Sequence, residues 1–334
     1  MLPVRKGGSA QIPGSVSVVI PTHNARSTVR KTVEACLGQS YPGVEIVVVD
    51  DGSTDDTFQV LRPLLREGNV RYLRQENRGP SAARNRGWRE AEGRFICFTD
   101  SDCVPRSDWV EKLIGALQRE GKAAAAGGGY DILNPESLLA LLVWREILWR
   151  HKRMPSRPRA LGSYNLCVRR EVLEEIGGFD EEYREPSGED TDLSYRIRQR
   201  GYHLLWVEEA KVAHRFPERL LFYLRQQYRH GFWRVRLYRS HPFMVKGDDY
   251  TYWKDAAEVM LLLALCCTSF LFAVGLSPWK LSLFFLLAYL GVQIPSSLSV
   301  CLEEKSLRYL PLAALTALRG GARTGGFLRG IFSR

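Results

Sequence analysis

The chain has 334 residues, of which 45% are apolar and 25% are charged, and its formal net charge is +10 at pH 7. These values exclude a wholly disordered chain and a chain that lies entirely in a membrane, and they allow one large α/β domain with additional segments. The basic residues are dense at Arg215–Arg239 and Lys305–Arg334, on both sides of the most apolar part of the chain. We therefore expect a membrane surface, and no nucleic acid, as the partner of the positive charge.

The seven cysteines include no Cys-x-x-Cys pair. They are predicted to be reduced, buried thiols in a protein that faces the cytosol. The first thirteen residues are polar and contain glycine, without an apolar run, so no signal peptide is predicted.

Strands and helices are predicted to alternate from Val16 to about His214. The predicted elements are strands at Val16–Ile20, Val44–Val49, Val70–Leu73 and Arg94–Phe98, and helices at Ala25–Leu37, Thr54–Arg66 and Pro80–Ala91. Repeated β-α units of this kind indicate a Rossmann-like α/β fold with a mostly parallel sheet. Ligands bind such sheets beyond the carboxyl ends of the strands, where the polar motifs of this chain lie.

The character of the sequence changes towards its C-terminus. Further helices are predicted at Pro135–Trp149, Glu189–Arg200 and Arg219–Arg239. Ala256–Leu276 and Leu281–Leu302 are apolar stretches joined by a turn, and each is long enough to span ~30 Å of hydrocarbon. They predict a transmembrane hairpin with both basic flanks in the cytoplasm. A buried soluble hairpin and a re-entrant or interfacial hairpin are the alternatives, and Tyr309–Leu318 is expected to lie at the interface.

The acidic triplet Asp100-Ser101-Asp102 directly follows a predicted strand. Two carboxylates two residues apart can point into one cleft, and their oxygens suit Mn²⁺ or Mg²⁺. Such an ion would hold a diphosphate and stabilise the charge on a leaving group. A helix cap or a solvated turn would be the better explanation of an isolated triplet, so its neighbours decide the interpretation.

Polar residues also end the first two strands. They are Pro21, Thr22, His23 and Asn24 after the first strand, and Asp50 and Asp51 after the second. His23 offers a flat ring for stacking on a base, and the two acids can accept hydrogen bonds from a base or a ribose. Three polar strand ends at one edge of a parallel sheet predict a nucleotide site there.

Gly79 and Pro80 open a predicted helix whose N-terminus favours a phosphate group. Arg84 on that helix is a candidate for binding a diphosphate. A surface arginine on a well-capped helix is an equal alternative.

Gly188-Glu189-Asp190 begins another predicted helix. A carboxylate in a partly dry cleft can act as a general base, and Asp190 is our first candidate with Glu189 second. Capping of the helix by an acid is the alternative. His214 is a candidate metal ligand, although a lone histidine is more often structural.

The order of these motifs resembles that of the family 2 glycosyltransferases with the GT-A fold, over roughly residues 14–240. The motifs are Val18-Val19-Ile20-Pro21-Thr22-His23-Asn24, Asp50-Asp51-Gly52-Ser53, Asn77-Arg78-Gly79, Asp100-Ser101-Asp102, Gly177-Gly178-Phe179-Asp180, Glu189-Asp190 and His214. Each motif alone is weak, and together they are specific.

The resemblance implies a role for each matching position. A nucleotide-sugar site is implied at Pro21, Thr22, His23, Asn24, Asp51, Gly79, Arg84, Asp100 and Ser101. Within it, His23 would stack on the base, Asp51 would hydrogen-bond the base, and Asp100 would hold the ribose. Further roles are implied for Asp102 and His214 as ligands of a divalent metal, Asp190 as the base of an inverting reaction, and Tyr164 and Asn165 in a sugar or acceptor loop.

One departure from the family pattern bears on processivity. Processive polysaccharide synthases of this family carry Gln-x-x-Arg-Trp, whereas Arg229 is followed here by His230. This departure and the small number of predicted membrane spans, two, both indicate an enzyme that adds one sugar.

The expected organisation has four parts. They are a GT-A catalytic domain at 1–215, a basic amphipathic helical connector at 216–255, two transmembrane helices at 256–302 and a basic interfacial tail at 303–334. The expected protein is a multi-pass protein of the inner membrane with a cytoplasmic catalytic domain. It would use a UDP-, GDP- or dTDP-sugar and a lipid-linked or envelope-glycan acceptor.

Two other classes of protein remain as alternatives. A nucleotidyltransferase normally uses a glycine-rich phosphate loop, and the segment Pro21–Arg26 has no glycine. A non-enzymatic membrane adaptor on a degenerate transferase fold would be expected to have lost an acidic motif, and all of them are present.

Overall fold

The computed structural model describes residues 15–67, 70–243, 249 and 253–333. They form two compact units. Unit 1 comprises Met1–Gly128, Gly162–Arg184 and Arg200–Val212, and unit 2 comprises Gly129–Leu161, Glu185–Gln199 and Ala213–Arg334.

The strands and helices are numbered in chain order. The strands are β1 Val16–Thr22, β2 Val44–Asp51, β3 Val70–Gln75, β4 Phe95–Phe98, β5 Cys103–Pro105, β6 Ala123–Gly127, β7 Tyr130–Ile132, β8 Leu166–Arg169, β9 His203–Trp206 and β10 Val212–His214. The helices are α1 Val29–Leu37, α2 Thr57–Leu61, α3 Pro80–Glu90, α4 Trp109–Arg119, α5 Leu138–His151, α6 Arg170–Ile176, α7 Glu189–Gln199, α8 Leu220–Ser240, α9 Trp253–Ala273, α10 Trp279–Gly291, α11 Ile294–Glu303 and α12 Leu312–Phe332.

A seven-stranded sheet in the order β3-β2-β1-β4-β8-β6-β9 forms the centre of unit 1. Strand β8 is antiparallel to β4 and β6, while the other neighbouring pairs are parallel. The predicted mostly parallel sheet is confirmed. Its central strands are apolar runs because both faces are covered, and Val18 and Val47 are completely buried. Helix α3 packs closely on the sheet at Gly87, where an added Cβ would lie 2.3 Å from Cγ1 of Val19.

The helix predicted at Thr54–Arg66 is shorter in the structure. It forms α2, which ends at Leu61, and a separate 3-10 helix at Leu64–Glu67. Pro63 lies between them, and a proline inside a helix lacks the N–H that the backbone ladder needs. The second apolar stretch also differs, because it divides into α10 and α11 at Val292 and Gln293.

Unit 2 contains two helical segments that are long and apolar enough to cross a membrane, at Lys254–Ala273 and Trp279–Glu303. In the most apolar 18-residue stretch of each segment, only 11% and 28% of the stretch is buried inside the protein. Large side chains such as Phe270 and Phe284 are therefore left exposed, at 68% and 61%. Such exposure is unusual for the core of a soluble protein and indicates membrane association.

The C-terminal tail is a helix through most of its length. The sequence predicted a short interfacial segment at Tyr309–Leu318, whereas α12 continues to Phe332 and packs along α8. Glycines make this packing close. A Cβ added at Gly326 would lie 1.9 Å from the carbonyl oxygen of Tyr228, and one at Gly231 would lie 2.0 Å from that of Arg323. Glycines that weaken an isolated helix therefore let the two backbones approach.

Buried ion pairs join three helices of unit 2. Arg150 of α5 lies 3.0 Å from Glu146 and 3.0 Å from Asp255 of α9. Arg319 of α12 pairs with the same Glu146 and lies 3.6 Å from Glu258 of α9. Burial alone would raise the pKa of the Glu146 carboxyl, but the guanidinium groups of Arg319 and Arg150 outweigh it and lower that pKa to about 2. Glu146 therefore stays ionised and binds α12 to α5.

The substitution Arg319→Met tests this network. It leaves Glu146 and Glu258 buried beside fewer cations, and removing one partner of a buried ion pair costs about 3–5 kcal/mol. We expect a marked fall in the unfolding temperature of the purified protein in detergent. The control is Arg30→Met, because Arg30 pairs with Glu34 at the surface with its side chain 54% exposed. If both variants had the unfolding temperature of the wild type, the network would contribute nothing to stability.

Candidate active site

The register of the parallel strands brings three polar strand ends to one edge of the sheet in unit 1. Thr22 of β1 is paired with Asp50 of β2, and Val19 of β1 is paired with Phe98 of β4. The residues that follow these strands are therefore neighbours. Pro21 and Thr22 are the last residues of β1, with Thr22 buried.

The loop after β1 is fixed to the loop after β2. Nδ1 of His23 lies 2.9 Å from the carbonyl oxygen of Asp51, so this nitrogen carries the proton and donates. Asn24 has a positive φ of 51°, and its Oδ1 accepts from the backbone N–H of Thr54 at 2.8 Å. These bonds set the orientation of the exposed His23 ring, whose stacking on a base stays a prediction.

Asp51 is a buried acceptor of three hydrogen bonds. Its carboxylate accepts from Nε2 of Gln75 at 2.7 Å, from the backbone N–H of Arg78 at 2.9 Å and from that of Gly79 at 2.8 Å. It is 4% exposed. The carboxylate therefore shapes the loop that leads into α3, and a bond from Asp51 to a nucleotide base stays a prediction.

Gly79 occupies a position that only glycine fits. Its φ is +91°, and an added Cβ would lie 2.5 Å from the carbonyl oxygen of Arg184. The backbone of Gly79 thus closely approaches that of Arg184, and the part of Gly79 in a nucleotide-sugar site stays a prediction.

Arg84 has a different partner from the diphosphate that the sequence suggested. It is 2% exposed, its Nη2 donates to Oδ1 of Asp100 at 2.8 Å, and its guanidinium lies over the ring of Phe179. Asp100 is 36% exposed along its side chain. In this structure Arg84 orients the first acid of the triplet, and direct binding of phosphate by Arg84 stays a prediction.

The rest of the acidic triplet forms a turn between β4 and β5. The carbonyl oxygen of Ser101 accepts from Oγ1 of Thr32 at 3.0 Å, which fixes the turn to α1. Asp102 is half-buried, and the thiol of Cys103 lies 3.8 Å from its Oδ1. Burial and the two acids raise the pKa of the Cys103 thiol, so it stays protonated. An oxygen donor at Asp102 suits a hard divalent cation.

Asn165 lies in the core of unit 1 and is 1% exposed. Its Oδ1 accepts from Nε1 of Trp109 at 2.7 Å, and its Nδ2 donates to the carbonyl oxygen of Ala210 at 2.7 Å. The hydroxyl of Tyr164 donates to the carbonyl oxygen of Gly128 at 3.1 Å. These hydrogen bonds account for the positions of both side chains without a ligand. The part of Tyr164 and Asn165 in a sugar or acceptor loop stays a prediction.

The two candidate bases and His214 belong to unit 2. Glu189 is 3% exposed, while Asp190 is half-buried and its Oδ1 accepts from the backbone N–H of Thr191 at 2.7 Å. His214 is half-buried, and its carbonyl oxygen accepts from the backbone N–H of Leu133 at 3.0 Å. Asp190 is thus the more accessible carboxylate of the pair, which favours it as the base.

Sequence reasoning did not identify two side chains that shape the site. The hydroxyl of Tyr72 on β3 donates to Asp50, and Thr32 on α1 holds Ser101. The sequence of β3 does give a signal for Tyr72. Arg74 is the register partner of Asp50, and Tyr72 lies two residues before Arg74 and therefore on the same face of the sheet. Nothing in the sequence indicates the contact of Thr32.

Residues 17–176 match the model of the family described as glycosyl transferase family 2. A domain of this family therefore occupies residues 17–176, a little under half of the chain. The match includes the strand ends and the acidic triplet described above, and it ends before Asp190 and His214.

The chain is similar to several curated glycosyltransferases. It is 28% identical over 232 residues to the probable glycosyltransferase YdaM of Bacillus subtilis, which covers 64% of this chain and 54% of that protein. It is 29% identical over 204 residues to the glycosyltransferase AglE of Haloferax volcanii, covering 60% and 66%. It is 31% identical over 210 residues to the pre-mycofactocin glycosyltransferase of Mycobacterium tuberculosis, covering 60% and 42%. The chain thus spans about half the length of these relatives.

Two solved structures share the fold. The mannosyltransferase PcManGT from Pyrobaculum calidifontis, in complex with GDP-Man and Mn²⁺, has a TM-score of 0.61 and 16% identity, and the alignment covers 95% of this chain and 87% of that one. GalNAc-T7 with UDP, GalNAc and Mn²⁺ has a TM-score of 0.50 and 21% identity, covering 66% and 50%. The chain therefore has the fold of these two proteins, the GT-A fold.

The pair of variants Gly79→Ala and Gly43→Ala tests the close approach at the site. Both glycines have positive φ, +91° and +71°, but Gly43 has no atom within 4 Å of an added Cβ. Gly43→Ala should cost only the conformational strain, about 1–2 kcal/mol. Gly79→Ala should destabilise the protein further, because the loop held by Asp51 must move away from Arg184. Equal denaturation midpoints for the two variants would show that the contact with Arg184 is unimportant.

Proposed function

We propose that this protein is an inverting glycosyltransferase that moves one sugar from a nucleotide donor to an acceptor hydroxyl at a membrane. The observation that carries the proposal is the meeting of Asp51, Asp100 and Asp102 at one edge of the parallel sheet, within the segment that matches the family. Ligands bind at that edge in sheets of this kind.

The reaction exchanges one bond at the anomeric carbon of the sugar. The acceptor oxygen forms a bond to that carbon while the bond from the carbon to the phosphate oxygen breaks, and the nucleoside diphosphate leaves. The acceptor hydroxyl gives its proton to the carboxylate of Asp190. Positioned general bases of this kind typically contribute about 10²–10⁴-fold to a rate.

A divalent cation, Mn²⁺ or Mg²⁺, is the proposed cofactor, and both structural neighbours were solved with Mn²⁺. Asp102 and His214 are the proposed ligands. The cation would supply positive charge to the diphosphate. Asp100, which is held by Arg84, would bind the ribose.

The proposed acceptor is a lipid-linked sugar or another envelope-glycan precursor at the cytoplasmic face of the inner membrane. The exposed apolar helices and the basic segments around them support this location. The donor is proposed to be a UDP-, GDP- or dTDP-sugar.

A screen of sugar nucleotides by thermal shift, with and without Mn²⁺, tests donor binding and the metal ligand together. We expect one nucleotide class to raise the unfolding temperature only when Mn²⁺ is present. Asp102→Asn should remove most of the metal-dependent part of the shift, whereas Asp108→Asn, an exposed acid paired with Lys112, should retain it. A full metal-dependent shift in Asp102→Asn would refute the assignment of Asp102.

Replacing Asp190 by asparagine tests the base. The variant should bind the donor as the wild type does, while turnover of that donor falls by at least 10²-fold, because an amide does not accept the proton. Release of the nucleoside diphosphate in the presence of the acceptor, or of water alone, is the measurement. Full turnover in Asp190→Asn would show that another group is the base, and release of pyrophosphate by the wild type would indicate a nucleotidyltransferase.

A further inference from the structure

Asp190, the candidate base, is the second residue of α7. It closely follows a loop that is hydrogen-bonded to α8. Nε1 of Trp233 donates to Oε2 of Glu185 at 3.1 Å. The hydroxyl of Ser187 is hydrogen-bonded to Nδ1 of His230 at 2.9 Å. Two residues near the end of the loop that leads into α7, Glu185 and Ser187, are therefore attached to α8, and Asp190 follows within one turn.

A third contact holds α7 itself. Nε2 of His241, directly after α8, donates to Oδ1 of Asp192 at 2.7 Å, and the two side chains are 6% and 5% exposed. Oδ2 of Asp192 also accepts from Arg196 at 2.8 Å. A charge-assisted bond between two buried side chains is stronger than a neutral one and fixes its partners closely. Asp192 is two residues from Asp190, so this contact sets the rotation of the first turn of α7.

The three contacts come from one side of α8. With about 100° of rotation per residue, His230, Trp233 and His241 lie within about 80° of each other around the helix axis. The residues that meet α12 lie on the other side, at about 100–200° from His230. They are Tyr228, Gly231, Phe232 and Val235, each against a glycine or backbone atom of α12. Helix α8 thus stands between α7 and α12.

Helix α12 is joined in turn to the apolar helix α9. Arg323 of α12 lies 3.4 Å from Asp255 of α9, and its Nε donates to Gln227 of α8 at 2.8 Å. Arg319 lies 3.6 Å from Glu258. A continuous series of contacts within unit 2 therefore connects the membrane-associated helix to the helix that carries Asp190.

We propose that Trp233, His230 and His241 are positioning residues for Asp190. Helix α8, which packs against the helix paired with α9, thereby sets the geometry of the base. The proposal rests on the function proposed above, in which Asp190 takes the proton of the acceptor. A base must lie within hydrogen-bond reach of that proton, and a displacement of about 1 Å can reduce a rate by about 10²-fold.

The variant Trp233→Phe is the sharpest test, because it keeps an aromatic side chain but loses the N–H that reaches Glu185, together with the five-membered ring of the indole. With the sugar nucleotide that the thermal-shift screen selects, we expect kcat to fall about tenfold while the donor KM stays within twofold. The unfolding temperature should remain that of the wild type. Tyr238→Phe is the matched control, because Tyr238 is on the same helix and faces Phe327 of α12. This control should retain full kcat.

A conservative pair at the third contact gives an independent reading. His241→Gln keeps an N–H that can reach Asp192, whereas His241→Leu leaves the Asp192 carboxylate without that donor. We expect His241→Gln to restore part of the kcat that His241→Leu loses. Hydrogen exchange of residues 185–199 should rise in His241→Leu while that of β1 and β2 stays unchanged.

A double-variant cycle separates this proposal from the assignment of the base. If α8 acts through Asp190, then Asp190→Asn combined with Trp233→Phe is no slower than Asp190→Asn alone. Additive losses, a changed donor KM, or unchanged kcat in Trp233→Phe would overturn the role of α8 and leave Asp190 as the base. Full turnover of Asp190→Asn alone would overturn the base assignment itself.

Discussion

Parallel pairing of β1 with both β2 and β4 is the constraint on which the candidate site depends. Each pair is held at a fixed register by backbone hydrogen bonds, so the loops that follow Thr22, Asp51 and Phe98 begin at the same edge. Buried valines on both faces of these strands oppose a change of register, since each is closely packed against its neighbours in the core. Core packing thus determines where the acids lie.

The acids at this edge divide into two groups by their environment. Asp50 and Asp51 are buried, and their oxygens accept bonds from Tyr72 and from the backbone of nearby loops. Asp100 and Asp102 are partly exposed on a turn fixed from α1. The buried acids preorganise loops, while Asp100 and Asp102 remain partly accessible to solvent at that edge. Preorganised groups are more effective because they need not reorient during a reaction.

Much of the sheet was predictable from the sequence, because β1, β2 and β4 are short apolar runs between turns. The interruption of α2 was less visible, although Pro63 gives a physical reason for it. The partners of Arg84 and Asn165 were not predictable, since both depend on residues that are distant in sequence, such as Asp100 and Ala210. Spacing identifies which groups end a strand, but burial decides which of them already have a partner.

The ion pairs of α9 have a consequence for biosynthesis. Asp255 and Glu258 are translated well before Arg319 and Arg323. Two other cations precede the acids with which they pair: Arg150 pairs with Asp255, and Lys254 lies 3.6 Å from Glu258. Until α12 has been synthesised, the acids at the start of α9 have only part of the counter-charge that surrounds them in the folded protein. Synthesis of α12 therefore supplies the remaining cations of the buried network around α9. A chain that stopped before α12 would leave Asp255 and Glu258 without these cations, and its α9 would be held less firmly.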